Sequence, residues 1–449
     1  MKFGATFALL ASFISTALAV SFIIPGAVWI DTSGAKILAH GGHIMQVGST
    51  FYWASSPYYQ GNEYDPNIYS STDLMNWSHV GIASTAVAGM YRPKFVSSGG
   101  KWYIWGQVNR EIVTLVAPGT TPASTAYTLT GSPQLLPPDA RSFSDMGVFV
   151  DDTGSNYFLS SADSNNFQLN NINAGTPITI GTRVADIGAA MEGPGMFKAS
   201  GVYYLIMSEK TGYRADPDKS YWATALAGPW SAGTDIAPEA VNTYNSQNSA
   251  ELVITGTSTT SYIFLGDAWD ADGTDASNYE WLPISVSTST HILTLQNLAM
   301  WTINPGTGKI RSYCRLEIIL KTRLPGVVSS SGFANTTFNA ADAIIGGSAG
   351  GINSSSNVTF TNIPGRGDKH WVSFQYTVNN VTAGDAHVSV NGGPTINLSE
   401  LNSRAGHYST VPVALSLKEG ANTLTFGATA TDDGDFEAHL EGIQIFDNY

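Results

Sequence analysis

The chain has 449 residues, 12% of them charged, and a formal net charge of −14; that is about half the usual charged share, so charge does little to organise it. Such acidity argues against nucleic acid or an anionic membrane surface as partner, because both would be repelled, and leaves neutral polymers such as polysaccharides open. Cys314 is the only cysteine, which excludes disulfide staples and a cysteine-based metal site and fits a small core residue.

At the start of the chain, Lys2, the apolar run Phe7 to Leu18 and the small-residue Ala17-Leu18-Ala19 have the layout of a secretory signal peptide. This predicts an extracellular protein beginning near Val20. No later run approaches the roughly 18 to 20 apolar residues of a membrane-spanning helix. Asn-x-Ser/Thr sequons at Asn76, Asn335, Asn353, Asn357, Asn380 and Asn397 fit a eukaryotic secretory route and a glycoprotein. About 430 mature residues allow two or three domains.

Helical periodicity is hard to find, whereas short aromatic and β-branched runs recur between Gly, Asn, Ser and Asp clusters, the all-β pattern. The runs themselves repeat: GSTFYWAS, GGKWYIWG, GSNYFLSS, SGVYYLIM and TTSYIFLG align on Tyr52, Tyr103, Tyr157, Tyr204 and Tyr262, at spacings of 51, 54, 47 and 58 residues. A period near 50 residues with four strands of chain per unit predicts propeller blades, five of them. A sandwich with coincidental spacing is the alternative. SSTDLMNWS (70 to 78) and TALAGPWS (224 to 231) read as matching outer-strand turns of blades one and four.

After Trp301 the aromatic repeat stops, and KTRLPGVVSSSG (321 to 332) has linker composition. The predicted organisation is a signal peptide over 1–19, a five-bladed β-propeller over 20–320, a linker over 321–332 and a β-sandwich over 333–449. In the last, HWVSFQYTV alternates cleanly, with Val372, Phe374, Tyr376 and Val378 on one face.

Three polar residues stand near the ends of repeat strands. Glu192, in AAMEGPGMFK, is a carboxylate among small apolar residues; such surroundings raise the pKa and suit a proton donor. Taken alone, those ten residues fit a solvated turn-edge glutamate better. Asp145 precedes MGVFV and Gln247 lies in YNSQNSAEL, so each of three successive blades brings one polar group to one mouth of the ring. His40 and His43 read as packed residues near the start of blade one, and the absence of a HExxH pair leaves a catalytic zinc unsupported.

LAHGGHIMQVGSTFYW, YRPKF, FSDMGVFVDD, MEGPGMFKASGVYYLI, TGYRADPDK, LAGPWS, YNSQNSAEL and GDAW, in that order, resemble the five-bladed glycoside hydrolase family 43 enzymes of the exo-β-1,3-galactanase subgroup. LKEGANTLTF and HLEGIQIF resemble a carbohydrate-binding module of family 35 or 6. The first resemblance implies a glycosidase that inverts at the anomeric carbon of a β-galactan or arabinogalactan side chain. Glu192 would be its general acid, Asp145 the carboxylate that orients and tunes the acid, and Gln247 the residue facing the attacking water, across a gap of roughly 6.5 to 9.5 Å. It also implies sugar contacts from Ser56, Tyr91, Gln107, Thr211 and Trp269. Where the subgroup has acidic residues, this chain has Ser56 and Tyr91; Gln107 stands where relatives often have His, and Ala268 where they have Arg.

Hydrolysis of this kind requires no cofactor, and the chain is expected to act as a monomer on a polysaccharide or oligosaccharide. The second resemblance brings a structural calcium near the module's termini into view, with Asp342, Glu441 and Asp447 as candidate ligands, although spaced single acids read better as solvated side chains. Two rival readings are a propeller that binds glycan without cleaving it, for which Ser56 and Tyr91 speak, and an arabinofuranosidase or xylosidase. The latter usually has an aspartate base in blade one, and none occupies that segment here.

Overall fold

The computed structural model describes residues 21–57, 65–87, 89–162, 166–210, 212–213, 215–269 and 277–313, and beyond them 316–319, 336–338, 349–352, 357–378, 384–401, 409–428 and 438–447. Five four-stranded antiparallel sheets follow one another along residues 40–82, 91–129, 143–187, 192–235 and 247–295. In each, strand order follows chain order, as short hairpin connections require.

The repeated aromatic runs are the second strands of these sheets: Thr50–Ser56, Lys101–Val108, Asn156–Ala162, Val202–Ser208 and Thr260–Ala268. Their small-residue leaders are the hairpin turns. Gly48 and Gly201 take φ of +62° and +82° there, a conformation that glycine adopts without a Cβ penalty. The segments around 71–78 and 224–231 both join a third strand to a fourth, in the first and fourth sheets.

The first strand of each sheet packs against the first strands of the sheets before and after it, and the fifth returns to the first. These strands, His40–Val47, Tyr91–Ser98, Phe143–Val150, Glu192–Ala199 and Gln247–Thr255, therefore form a closed ring. Hydrophobic packing seals the closure between fifth and first sheets: Trp53, Trp77, Leu252, Ile263, Trp281 and Trp301 share one buried cluster. The segment after residue 20 belongs to that seal. Ile23 bridges to Trp301, and Tyr279 Oη accepts from Ala39 N and donates to Ile37 O, both at 2.7 Å. Such aromatic burial is the main stabilising term of a disulfide-free fold.

Two further sheets follow. One orders strands Leu316–Ile319, Ala438–Asp447, Lys369–Val378 and Ser409–Ser416, with Ala349–Ile352 also on Ala438–Asp447; the other orders Thr336–Phe338, Asn357–Gly365, Gly420–Ala428, Gly384–Val390 and Thr395–Leu401. They share a core of Val372, Phe374, Tyr376, Leu424, Phe426 and Ile443 among others. The opposite face of Lys369–Val378 meets the first domain. Trp371 packs with Ile24, Ala27 and Met300, and Ser373 and Gln375 line a polar hollow of about 120 Å³ together with Glu280.

One expected boundary moves. Leu316–Ile319 pairs with Gly442–Ile445, so the second unit claims the chain before residue 320, where the strand Leu-Glu-Ile-Ile completes an edge of its sheet. The linker 321–332, Cys314, Asp342, the side chains of Val378, Glu441 and Asp447, and the sequons at Asn335, Asn353 and Asn380 lie outside the described residues. Asn76 and Asn397 are exposed. Among the described residues no helix is long and apolar enough to cross a membrane, and no group of three or more His, Cys, Asp or Glu is placed to hold a metal ion.

Candidate active site

Pairing is irregular near the start of the first strand in all five sheets: at His40/His43, at Tyr91/Lys94, opposite Ser160/Ala162, at Glu192/Gly195 and at Asn248/Ala250. A bulge re-aims a side chain out of the pleat, and here the re-aimed residues converge at one end of the ring. Two glycines make this possible. A Cβ on Gly193 would lie 2.6 Å from Asn248 O, and one on Gly41 would lie 3.0 Å from the Arg92 side chain. Arg92 itself holds φ of +48°, a strained position for a non-glycine residue, and its guanidinium offsets the strain with three hydrogen bonds.

Those partners organise the site. Arg92 Nε donates to Asp145 Oδ1 at 2.7 Å, Nη1 to Asn248 O at 3.1 Å and Nη2 to Gln247 Oε1 at 2.8 Å. Asp145 Oδ2 accepts from Gly193 N at 2.9 Å, so the aspartate is fixed beside the residue that follows Glu192. Burial, then the negative charge of Asp145, push the Glu192 carboxyl up to about 7, against the pull of Arg92. A carboxylic acid that keeps its proton near neutrality is a competent proton donor.

Gln247 departs from expectation. Its Nε2 donates to Glu192 Oε1 at 3.1 Å, and its Oε1 accepts from both Arg92 and Trp269 Nε1, each at 2.8 Å. The gap of roughly 6.5 to 9.5 Å expected between these side chains is therefore absent. The physical reason is that the amide has two strong donors on its carbonyl and turns its NH₂ to the neighbouring carboxyl, which needs one.

Asp145, Glu192, Gln247, Ser56, Tyr91, Gln107 and Trp269 all line one cleft of about 360 Å³. Ser56 is buried and its backbone pairs with His40; Tyr91 is 36% exposed at the rim. Gln107 Nε2 donates to Phe143 O at 3.3 Å while its Oε1 has no partner. Thr211 lies outside the described residues, although the adjacent Gly212 and Tyr213 line the cleft. A larger hollow of about 520 Å³, lined by residues 21–24, 27–32 and Trp371 among others, gathers no comparable set of acid, base and orienting groups, so the chemistry is assigned to the smaller one.

Sequence reasoning overlooked Arg92, the hub of the network, although it stands in the quoted YRPKF, and it read His40 only as packing. His40 does stack on Tyr279, with ring centroids 4.8 Å apart, but it also lines the cleft and meets Asp267 through Nδ1 at 3.1 Å. His43 is the packed one: burial and Lys94 push its imidazole down to about 3. Lys94 Nζ donates to Gly41 O, Gly42 O and Ser249 O at 2.8, 2.8 and 2.9 Å, tying the first and fifth sheets beneath the site.

Among proteins of curated function no sequence matches this one. Among solved structures it is similar to the exo-β-1,3-galactanase of Phanerochaete chrysosporium in complex with β-1,3-galactotriose, at 29% identity over 95% of this chain and 100% of that one, with a TM-score of 0.81. The same enzyme with galactose gives 29% identity, the same coverage and a TM-score of 0.80. An exo-β-1,3-galactanase from Clostridium thermocellum shares the fold at 19% identity, covering 94% of this chain and 99% of that one, with a TM-score of 0.60. Residues 38–273, more than half of the chain, match glycosyl hydrolases family 43, and the chain belongs to that family of glycoside hydrolases.

Proposed function

We propose that the protein is a secreted exo-acting enzyme that releases galactose from the non-reducing end of a β-1,3-galactan or arabinogalactan side chain, with inversion at the anomeric carbon. The observation that carries this reading is Glu192: a carboxyl held protonated to about pH 7 at the mouth of a sugar-sized cleft, with Asp145 fixed beside it. Complexes of similar structures with β-1,3-galactotriose and galactose, at 29% identity over 95% of the chain, support a galactan substrate.

In this mechanism Glu192 gives its proton to the leaving oxygen while water attacks from the opposite face. Asp145 keeps the acid protonated by its charge. Gln247 orients the water, whose released proton passes to bulk solvent through the open cleft, and this requires the Glu192–Gln247 hydrogen bond to part as the sugar enters. The ring of five sheets is then a five-bladed propeller whose channel mouth is the active site, and the C-terminal pair of sheets is a carbohydrate-binding module that holds the enzyme on its polymer.

Incubation of the purified protein with β-1,3-galactan, arabinogalactan and aryl glycosides tests this. Galactose released as the α-anomer first, seen by proton NMR, is the expected result. Release of arabinose or xylose alone, or of the β-anomer first, overturns it.

A further inference from the structure

In Lys369–Val378 the alternation that sends Val372, Phe374 and Tyr376 into the core of the second unit sends Trp371, Ser373 and Gln375 to the face that meets the first domain. Register extends that face across the sheet: Ser373 stands opposite Gln444 and Pro412, and Gln375 opposite Thr410. The centre of such a contact is normally apolar, as it is where Trp371 meets Ile24, Ala27 and Met300. Here Ser373, Gln375, Thr410 and Gln444 instead line a hollow of about 120 Å³.

The first domain contributes Pro25, Glu280, Asn297 and Ala299 to the same hollow. Glu280 is 3% exposed, and among the described residues its carboxylate takes part in no hydrogen bond or ion pair. No Lys, Arg or His is among the lining residues. A carboxylate withdrawn from water with neither donor nor counter-charge is strongly disfavoured, and burial alone pushes this one well above the ordinary glutamate range. Its strand, Asn278–Val286, is fixed on either side of it, because Tyr279 and Trp281 are packed into the seal between fifth and first sheets. The backbone therefore cannot carry the carboxylate back to solvent. Gly26 keeps the approach open: it has φ of +74°, and a Cβ there would lie 3.5 Å from Glu280 Oε2 and 3.6 Å from Thr410 O. One oxygen from each unit thus converges on the same point.

We propose that this hollow is a site for a hard, oxygen-ligated metal cation that clamps the second unit to the ring of sheets. Calcium, the type case, takes about six to eight oxygens from carboxylates, amide and main-chain carbonyls and water. Glu280, Asn297, Gln375, Gln444 and the Thr410 carbonyl offer those types from both walls, and a hollow of this size has room for waters that complete the shell. Sodium shares the preference for oxygen and is neutralised by the single carboxylate, whereas calcium keeps one charge in excess. The cation supplies the counter-charge that the lining residues lack. These residues are not the acids expected to hold a calcium near the termini of the second unit, and the site stands apart from the cleft and from the galactan reading.

Thermal melting of the full-length protein, first stripped with a chelator, tests it in sodium chloride, calcium chloride and tetramethylammonium chloride at matched ionic strength, the last cation being too large for such an oxygen shell. At least one of the two metal ions is expected to raise the melting temperature of the wild type by about 2–4 °C over tetramethylammonium, the effect of a ligand at about ten times its Kd. Glu280→Gln keeps the size of the side chain, removes its charge and should lose that increment. Gln375→Met, on the opposite wall, should lose most of it. The sodium and calcium arms show which ion is meant, and calcium bound elsewhere in the chain raises wild type and variants alike, so it drops out of the comparison.

Equal increments in wild type and Glu280→Gln overturn the site, as does a wild type that melts alike in all three salts. A Glu280→Gln protein that is more stable than wild type by the same margin in every salt overturns it too, and shows a carboxyl relieved by its proton and not by a metal. If Glu280→Gln fails to fold, Gln375→Met decides: an increment equal to that of the wild type overturns the clamp, and its loss supports it.

Discussion

Gln247 donates through Nε2 to Glu192 Oε1 at 3.1 Å while Arg92 and Trp269 saturate its carbonyl oxygen. The amide is thereby held in one orientation, with no lone pair left to take a proton from water. Gln247→Glu would set a second carboxyl against Glu192, and two carboxyls at that distance share a proton because both charges cannot form together. Arg92 stabilises the single charge that remains. The alkaline limb of the rate profile is therefore expected to move above pH 7, read from kcat against pH; an unmoved limb would mean that the side chains separate in the working enzyme.

Glu192→Gln separates acid catalysis from binding. With leaving groups that need protonation, kcat should fall about 10² to 10⁴-fold, while activated aryl glycosides lose much less. Equal losses on both would place Glu192 in binding instead. The same variant has a stability signature. The fold raises this carboxyl, so the folded state holds the proton more tightly than the unfolded one. Wild-type stability is then fullest below the ordinary glutamate pKa, falls as pH rises to about 7 and is level above that. Glu192→Gln should gain about 1–2 kcal/mol over wild type at pH 8, allowing for its partial exposure, and nothing at pH 4.

Asp145→Asn is expected to shift the alkaline limb the other way. It removes the charge that ranks next to burial in raising Glu192, and it frees Arg92 from its carboxylate. Both changes favour ionised Glu192, so the limb should fall by about one pH unit with little change in KM. A profile that keeps its position with a uniformly lower rate would show that Asp145 acts by orientation alone.

The five sheets were legible because each repeat carries the same local instruction: a small-residue turn followed by an aromatic strand centred on Tyr52, Tyr103, Tyr157, Tyr204 or Tyr262. Glu192, Asp145 and Gln247 were legible as polar residues at strand starts, and the family resemblance supplied their roles. The hub was not. Arg92 reaches Asp145, Gln247 and Asn248, which lie 53 to 156 residues away in sequence, and no local pattern encodes contacts that only ring closure creates. The strand Leu316–Ile319, read with the repeats in sequence, pairs instead with Ala438–Asp447, because three apolar residues and a glutamate do not announce which sheet edge they will complete.

Ser56 and Tyr91, the positions where the family resemblance implies acids, give the last prediction. Ser56 is buried, and its backbone pairs with His40, whose ring holds Asp267. A carboxylate introduced there would enter a desolvated spot already served by Asp267, so Ser56→Glu should destabilise the protein by about 1–3 kcal/mol and gain no activity. Tyr91 stands at the rim, 36% exposed, where a carboxylate keeps its water. Tyr91→Glu should therefore fold normally, which thermal melting would show. If the tyrosine ring serves as a platform for the natural sugar, Tyr91→Glu lowers kcat/KM on that substrate by about tenfold or more while raising any weak activity on unsubstituted β-1,3-galactan. If wild-type protein already turns over β-1,3-galactan at about 1 to 10³ per second, neither acid is required in this chain, and the hydrogen bonds they would make to sugar hydroxyls must come from other groups in the cleft.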